Sequence, residues 1–330
     1  MVNFRGIRSK KALEMSFSFI FAMIVGAVII FLAIYFASSL IKTSERQHSS
    51  EIAKEISILI NPLQTSIESS KEMSIELPQK TKIYDSCYIE TPFGRQTFAS
   101  AVESLGGKYG KKGAEISIYN KYIFSNSIEE GKKLFLFSKG LNLPFKLGDI
   151  IIMTSGKYCF VAPPENIAEE ILDIKNKGGM KNIEVNNSLE ECPTDSTSVC
   201  FDSACDISVY KASCIDCENE YDIGYVYKNN SRSYYVKDLL YGAIFSDKEV
   251  YDCNVKRLMQ RAYQLSLLFV DTSDVMAREG CFTNIDADLA IFASAAIHLN
   301  DSVDLLNIRE LAEGRDGLQS KNSNSLCKLW

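Results

Sequence analysis

MSFSFIFAMIVGAVIIFLAIYFASSLI, from Met15 to Ile41, is a run of 27 residues without a charge. As a helix rising ~1.5 Å per residue it covers roughly 40 Å, more than the ~30 Å hydrocarbon core of a bilayer. Gly26 is its only weak helix former. A buried helix of a soluble domain rarely stays uncharged for so long. A cleaved signal peptide is the alternative, but its apolar region normally spans only ~7–15 residues. Ala37, Ser38 and Ser39 offer a mediocre cleavage site. The reading is therefore a retained transmembrane helix over residues 15–41.

The flanks set its orientation. Arg5, Arg8, Lys10 and Lys11 precede the span, and Lys42, Arg46 and Lys54 follow it among Glu45, Glu51 and Glu55. Basic side chains favour the cytoplasmic side, so residues 1–14 read as a cytoplasmic tail. The expected localisation is the cell membrane, single-pass, with the C-terminal part extracytoplasmic and the lipid bilayer as the first partner. Residues 1–14 carry four basic groups against Glu14, a net of +3; with −6 overall, the remainder carries −9. An acidic head without a basic stripe argues against nucleic-acid binding. At 46% hydrophobic and 24% charged residues, the chain is too apolar for disorder and too charged for a polytopic membrane protein.

All ten cysteines follow the span: Cys87, Cys159, Cys192, Cys200, Cys205, Cys214, Cys217, Cys253, Cys281 and Cys327. An even set confined to the exported part reads as a disulfide framework of open connectivity. The one C-x-x-C, Cys214 to Cys217, has Asp216 and Glu218 beside it, which would raise a thiol pKa rather than depress it. Zinc ligation over Cys200–Cys217 is the alternative if the head were cytoplasmic.

The fold class expected is α+β. Ile52, Ile56, Leu59, Ile60, Leu63 and Ile67 recur at helical spacing and predict an amphipathic stem over 42–71, kinked or ended by Pro62. Its stripe suits contact with other membrane or envelope proteins, or with the head. Residues 72–162 read as a β-rich head, with strands over 83–89, 96–101, 115–123 and 133–137. A hairpin is expected where residues 150–153 and 158–161 flank Thr154-Ser155-Gly156-Lys157. Gly106 to Gly113 reads as a basic turn, since the spacing of a phosphate loop is absent.

Residues 163–330 form a Cys-rich and helical subdomain. A helix is expected over 165–176 with Ile167, Ile171, Leu172 and Ile174 inward and Gly178-Gly179 closing it. A turn-rich excursion follows over 180–220, then a hairpin around Asn229-Asn230. Ser246 and Glu249 read as a capping box for the helix carrying Val250 to Phe269. Helices over 287–299 and from Asp301 to Gly314 follow, and residues 315–326 read as frayed.

Little in the sequence points to chemistry. His48 and His298 are the only histidines, too few for a His-rich metal site. No catalytic residue, cofactor, metal site or small-molecule ligand is identified. Seven of sixteen tyrosines fall between Tyr221 and Tyr251. Of these Tyr225, Tyr227, Tyr234 and Tyr235 are candidates for a contact surface, with cross-strand pairing the simpler reading.

Lys10-Lys11-Ala12-Leu13-Glu14, the unbroken apolar helix and its amphipathic continuation resemble the N-terminal plan of type IV pilins and archaeal pilin-like proteins, over about the first 65 residues. That resemblance implies cleavage after Ala12 and assembly through the stem. The pattern departs at Glu14, the second position after such a cut. The segment Glu14–Thr43 and Tyr158-Cys159-Phe160-Val161-Ala162-Pro163 also resemble uncharacterised single-pass exported proteins of small-genome archaea. The expected function is a non-enzymatic surface or envelope protein for assembly or adhesion. A membrane-anchored, carboxylate-dependent hydrolase and a ligand-binding ectodomain are the alternatives.

Overall fold

Helix α1 runs from Phe17 to Leu59 in a computed structural model that describes residues 17–60, 70–90, 93–104, 106–177, 180–214 and 216–330. Within α1, Phe17–Leu40 has a mean hydropathy of 2.9 and no buried side chain, long and apolar enough to cross a bilayer. Met15, the tail and residues 61–69 lie outside the described residues, as does the Gly178-Gly179 helix stop. The chain divides into two units, residues 1–45 and 46–330.

In the second unit the rest of α1 is part of a core. Ser49, Ile52, Ala53, Ile56 and Ile60 are buried at spacings of three and four, one helical face. Ile52, Ile56 and Ile60 meet Ile75, Phe98, Leu134, Leu136, Ile151 and Met153 of a sheet. Ser50 Oγ accepts the Ala114 N–H at 2.9 Å. Gly113 makes that approach possible: a Cβ there would lie 2.9 Å from Ser50 N and 3.0 Å from the Ser49 backbone.

That sheet holds β1 (Ser70–Tyr88), β2 (Arg95–Val102), β3 (Ile116–Ile118), β4 (Tyr122–Phe124), β5 (Ile128–Asn142) and β6 (Lys146–Thr154). Its order is β3-β2-β1-β5-β6-β4, antiparallel except for β4 on β6. The β1–β5 register shifts between Glu76 and Thr81, where Pro78 has no N–H to give the ladder. The run 115–123 is two strands rather than one. Asn120 sits at φ 55°, and the chain leaves it for the opposite edge of the sheet.

The hairpin expected across Thr154–Lys157 is not a hairpin. Its second half, β7 (Tyr158–Val161), belongs to a second sheet with β8 (Ile183–Asn186), β9 (Thr197–Phe201), β10 (Ile207–Lys211), β11 (Ile223–Lys228) and β12 (Ser231–Val236), ordered β12-β11-β10-β9-β7-β8. Parallel neighbours flank β7 on both sides, which suits its short apolar run. The turn is tied to β5 instead: Glu129 Oε2 accepts the Ser155 N–H at 2.7 Å. Helix α2 (Glu165–Asn176) is the crossover from β7 to β8, with Ile167, Ile171 and Ile174 buried and Leu172 exposed. Three strands thus lie within the segment read as a turn-rich excursion. The expected hairpin at Asn229-Asn230 is present as β11–β12, both Asn at positive φ.

Helices α3 (Leu239–Phe245), α4 (Lys248–Arg278), α5 (Asp286–Ile297), α6 (Leu305–Glu313) and α7 (Leu318–Asn324) complete the fold. All seven residues of α3 are buried, and it touches β4 and β6 of one sheet and β11 and β12 of the other. Gly242 is required there, since a Cβ would lie 2.7 Å from the Phe124 ring. Ser246 does not cap α4; its hydroxyl donates back to Gly242 O, and Asp247 is the N-cap. Residues 318–324 are helical rather than frayed. The ten cysteines stand at disulfide distance as Cys87–Cys253, Cys159–Cys192, Cys200–Cys205, Cys214–Cys217 and Cys281–Cys327.

Candidate functional site

A cleft of about 300 Å³ opens where the end of β5, α2, the β10–β11 loop and the β12–α3 junction meet. Lys139 on β5 forms its floor, with 14% of its side chain exposed, and its ammonium is paired with both Glu170 and Asp238. Tyr241 donates its hydroxyl to Glu170 Oε2 at 2.6 Å, and the Lys139 ammonium stands 4.8 Å from the centre of the Tyr241 ring. Helical spacing puts Glu170 on the same side of α2 as Ile167, so the apolar anchor also aims the carboxylate.

Burial shapes the charges. It pushes the Asp238 carboxyl up, against the pull of Lys139. It also opposes the Lys139 charge, but Asp238 and Glu170 outweigh it and hold the ammonium above its ordinary range. Tyr241 is driven well above the usual phenol range by burial and then by Glu170. The rim is built from the β10–β11 loop, where Asp222 accepts from Asn219 N at 3.0 Å, and from Lys237. Lys237 holds φ 49°, a region costing a non-glycine residue roughly 1 kcal/mol or more. That turn lets its N–H reach Asp222 O at 2.7 Å and its ammonium reach Glu313 at 2.6 Å. Lys139 and Lys237 against Glu170, Glu218, Asp222 and Asp238 leave the lining at −2. Such a lining favours ligands that are cationic or rich in hydrogen-bond donors.

The residues singled out from sequence lie elsewhere. Ile52 and Ile56 are in the stem-side core, and the Leu59 side chain lies outside the described residues. Tyr235 is fully buried. Tyr225 pairs across the strands with Tyr234, ring centres 5.6 Å apart, and stacks on Tyr210 at 5.1 Å. Tyr227 is exposed on the same strand. Of the tyrosine cluster, Tyr221 and Tyr241 line the cleft. Its charged residues come from four separate segments with no motif to connect them, so only the tyrosine enrichment pointed near them. Among the described residues no group of three or more His, Cys, Asp or Glu side chains could hold a metal. His298 is exposed at the end of α5, its Nδ1 2.8 Å from Ser294 O. Compared with known proteins, the chain matches no family model, no curated protein and no solved structure.

Proposed function

We propose that the chain is a membrane-anchored, extracytoplasmic interaction protein that recognises its partner through the charged cleft of its head. The observation that carries the location is that every cysteine lies beyond the apolar helix and stands at disulfide distance from another, an arrangement suited to an oxidising compartment. The described part of the stem stripe, Ile52, Ile56 and Ile60, is taken up by the chain's own core, so recognition is assigned to the head and not to stem-to-stem assembly of the pilin kind. In the cleft, Lys139, Glu170, Asp238 and Tyr241 already satisfy one another, which suits a preformed surface for binding.

Photo-crosslinking in native membranes tests this. A photoreactive side chain at Asn142 or Asn219, both exposed on the cleft, is expected to capture a partner, and one at Ile56 is not. Capture from Ile56 alone would restore assembly through the stem and sink the cleft reading. Protease added outside sealed cells is expected to digest the head; protection of the head would reverse the topology. A carboxylate-dependent hydrolase is the second reading, favoured by the raised Asp238 carboxyl close to Glu170. It requires a turnover that both Glu170→Gln and Asp238→Asn abolish.

A further inference from the structure

The β4–β5 loop, the end of β11, the turn after β6 and the α3–α4 junction converge around Asn126. Lys228, the last residue of β11, donates from Nζ to Asn126 Oδ1 at 2.9 Å. From the other end of the same amide, Nδ2 donates to Glu129 Oε1 at 2.8 Å. An amine and a carboxyl thus bracket one side-chain amide, the amine against its oxygen and the carboxyl against its nitrogen. The amide orientation is the one its neighbours require, since the reverse would set an N–H donor against Nζ.

Lys228 Nζ also donates to Ile244 O at 3.4 Å and to Ser246 O at 3.2 Å. All three acceptors are neutral. Once the amine is neutral, two N–H groups can stay on these carbonyls and the lone pair turns toward Asn126. Burial holds Lys228 below its ordinary range, against the pull of Asp247 and Glu129. Glu129 is 3% exposed, and burial holds its carboxyl above the ordinary range, against the donors of Ser155 and Asn126. Passing one proton from Lys228 to Glu129 removes two charges from a site that solvates them poorly. Glu129 Oε2 accepts both the N–H and the hydroxyl of Ser155, so the acid proton belongs on Oε1, beside Asn126 Nδ2. The Ser127 N–H donates to Asp247 Oδ2 at 2.8 Å and fixes the loop that carries Asn126. A pocket of about 280 Å³ lined by Lys228, Ser246 and Asp247 opens one side of the site to solvent.

We propose that Lys228 and Asn126 condense into an intramolecular amide cross-link, with Glu129 as the proton-transfer group. The Nζ lone pair attacks Asn126 Cγ and forms the new C–N bond, while the C=O pair moves onto Oδ1. Glu129 gives its proton to Nδ2. The Cγ–Nδ2 bond breaks as Oδ1 regains its double bond, and ammonia leaves through the pocket. The Glu129 carboxylate then takes the proton that Nζ loses. A primary amine and a primary amide become one secondary amide and one ammonia, with no oxidant, reductant or cofactor consumed. The fold holds nucleophile, amide and acid in contact, which makes a slow bimolecular reaction a local one. The link joins residues 102 apart and ties the β4–β5 loop of one sheet to β11 of the other. It is independent of what the charged cleft binds.

The test is a peptide map of the full chain, purified from membranes in detergent, reduced, alkylated and digested with trypsin. The wild type is expected to yield a branched product in which residues 122–132 are joined to residues 212–232, uncut at Lys228 and lighter than the two peptides by one ammonia. Lys228→Arg and Asn126→Ala are expected to yield no such product. Glu129→Gln keeps the side-chain volume, and is expected to lower the linked fraction at least tenfold at equal times after synthesis, with an unchanged circular dichroism spectrum. The wild-type map decides the matter if the variants do not fold. Ordinary cleavage at Lys228 with the 122–132 peptide at full mass would overturn the proposal. So would loss of ammonia from that peptide without a branch, which would assign cyclisation of Asn126 onto its own backbone. A linked fraction in Glu129→Gln equal to that of the wild type would overturn the role given to Glu129.

Discussion

Asp85→Asn isolates a single buried carboxyl whose protonation couples to folding. Asp85 is buried beside Gln96 and Ser125, and burial pushes its carboxyl up to about 7 from 3.8, against the donors and Arg257 that pull it down. Below pH ~4 both the folded and unfolded chain hold this proton. Between about 4 and about 7 the unfolded chain releases it while the folded chain keeps it, so raising the pH favours unfolding. Each unit is worth about 1.4 kcal/mol, so the wild type should lose about 3 kcal/mol between pH 4.5 and 7.5 through Asp85 alone. Above pH ~7 this contribution stops changing. Glu129 is raised by burial too and adds a slope of the same sign, and Glu130, held down to about 2 by Lys80, adds one of opposite sign. Both persist in Asp85→Asn, so the difference between the two proteins is the quantity to read. The variant will carry a constant penalty, because its amide nitrogen meets the Gln96 donor; that penalty does not vary with pH. Urea unfolding followed through Trp330, the sole tryptophan, which packs on Phe145 and Phe269, supplies the stabilities. A difference between the proteins that stays constant within ~1 kcal/mol across this pH range would refute the assignment of a raised carboxyl.

Breaking Cys87–Cys253 by a double Ser substitution, which frees a loop of 166 residues, should cost about 5 kcal/mol in the chain-entropy model. Breaking Cys214–Cys217, separated by 3, should cost about 2, measured by the same denaturation. Ile56→Ala should destabilise the head by roughly 2–5 kcal/mol, because the residue is buried in the stem-side core; a cost below ~1 would mean the stem is not docked in solution. Gly242→Ala, which forces a methyl onto the Phe124 ring, should lower the melting temperature by an amount equivalent to about 1–3 kcal/mol.

The elements legible in the sequence were those whose signal is local. The apolar length of residues 17–40, the Asn-Asn turn at 229–230 and the stripe of α2 each depend on neighbours within a few residues. What was not legible depended on distant partners. Tyr158–Val161 reads equally as half of a hairpin and as an interior parallel strand, and only β8 and β9 decide it. The strand β8 is four residues long, too short for period-2 alternation to show. The stripe on the stem was visible, but an apolar face does not state whether it meets another chain or its own sheet. The cleft was the least legible part, since Lys139, Glu170 and Asp238 acquire meaning only once three separate segments converge.

The docking of residues 46–60 into the head has a consequence for proteolytic release. A cut N-terminal to Arg46 would free the head with its core whole. A cut in the connection after Ile60 would sever the backbone yet leave the head held by three buried isoleucines, worth roughly 4.5–9 kcal/mol of apolar transfer before ordering costs. A nicked molecule would thus keep its head until heat or denaturant separated the pieces. Release of the head by a protease has to act N-terminal to Ser49, the first buried residue of the docked face.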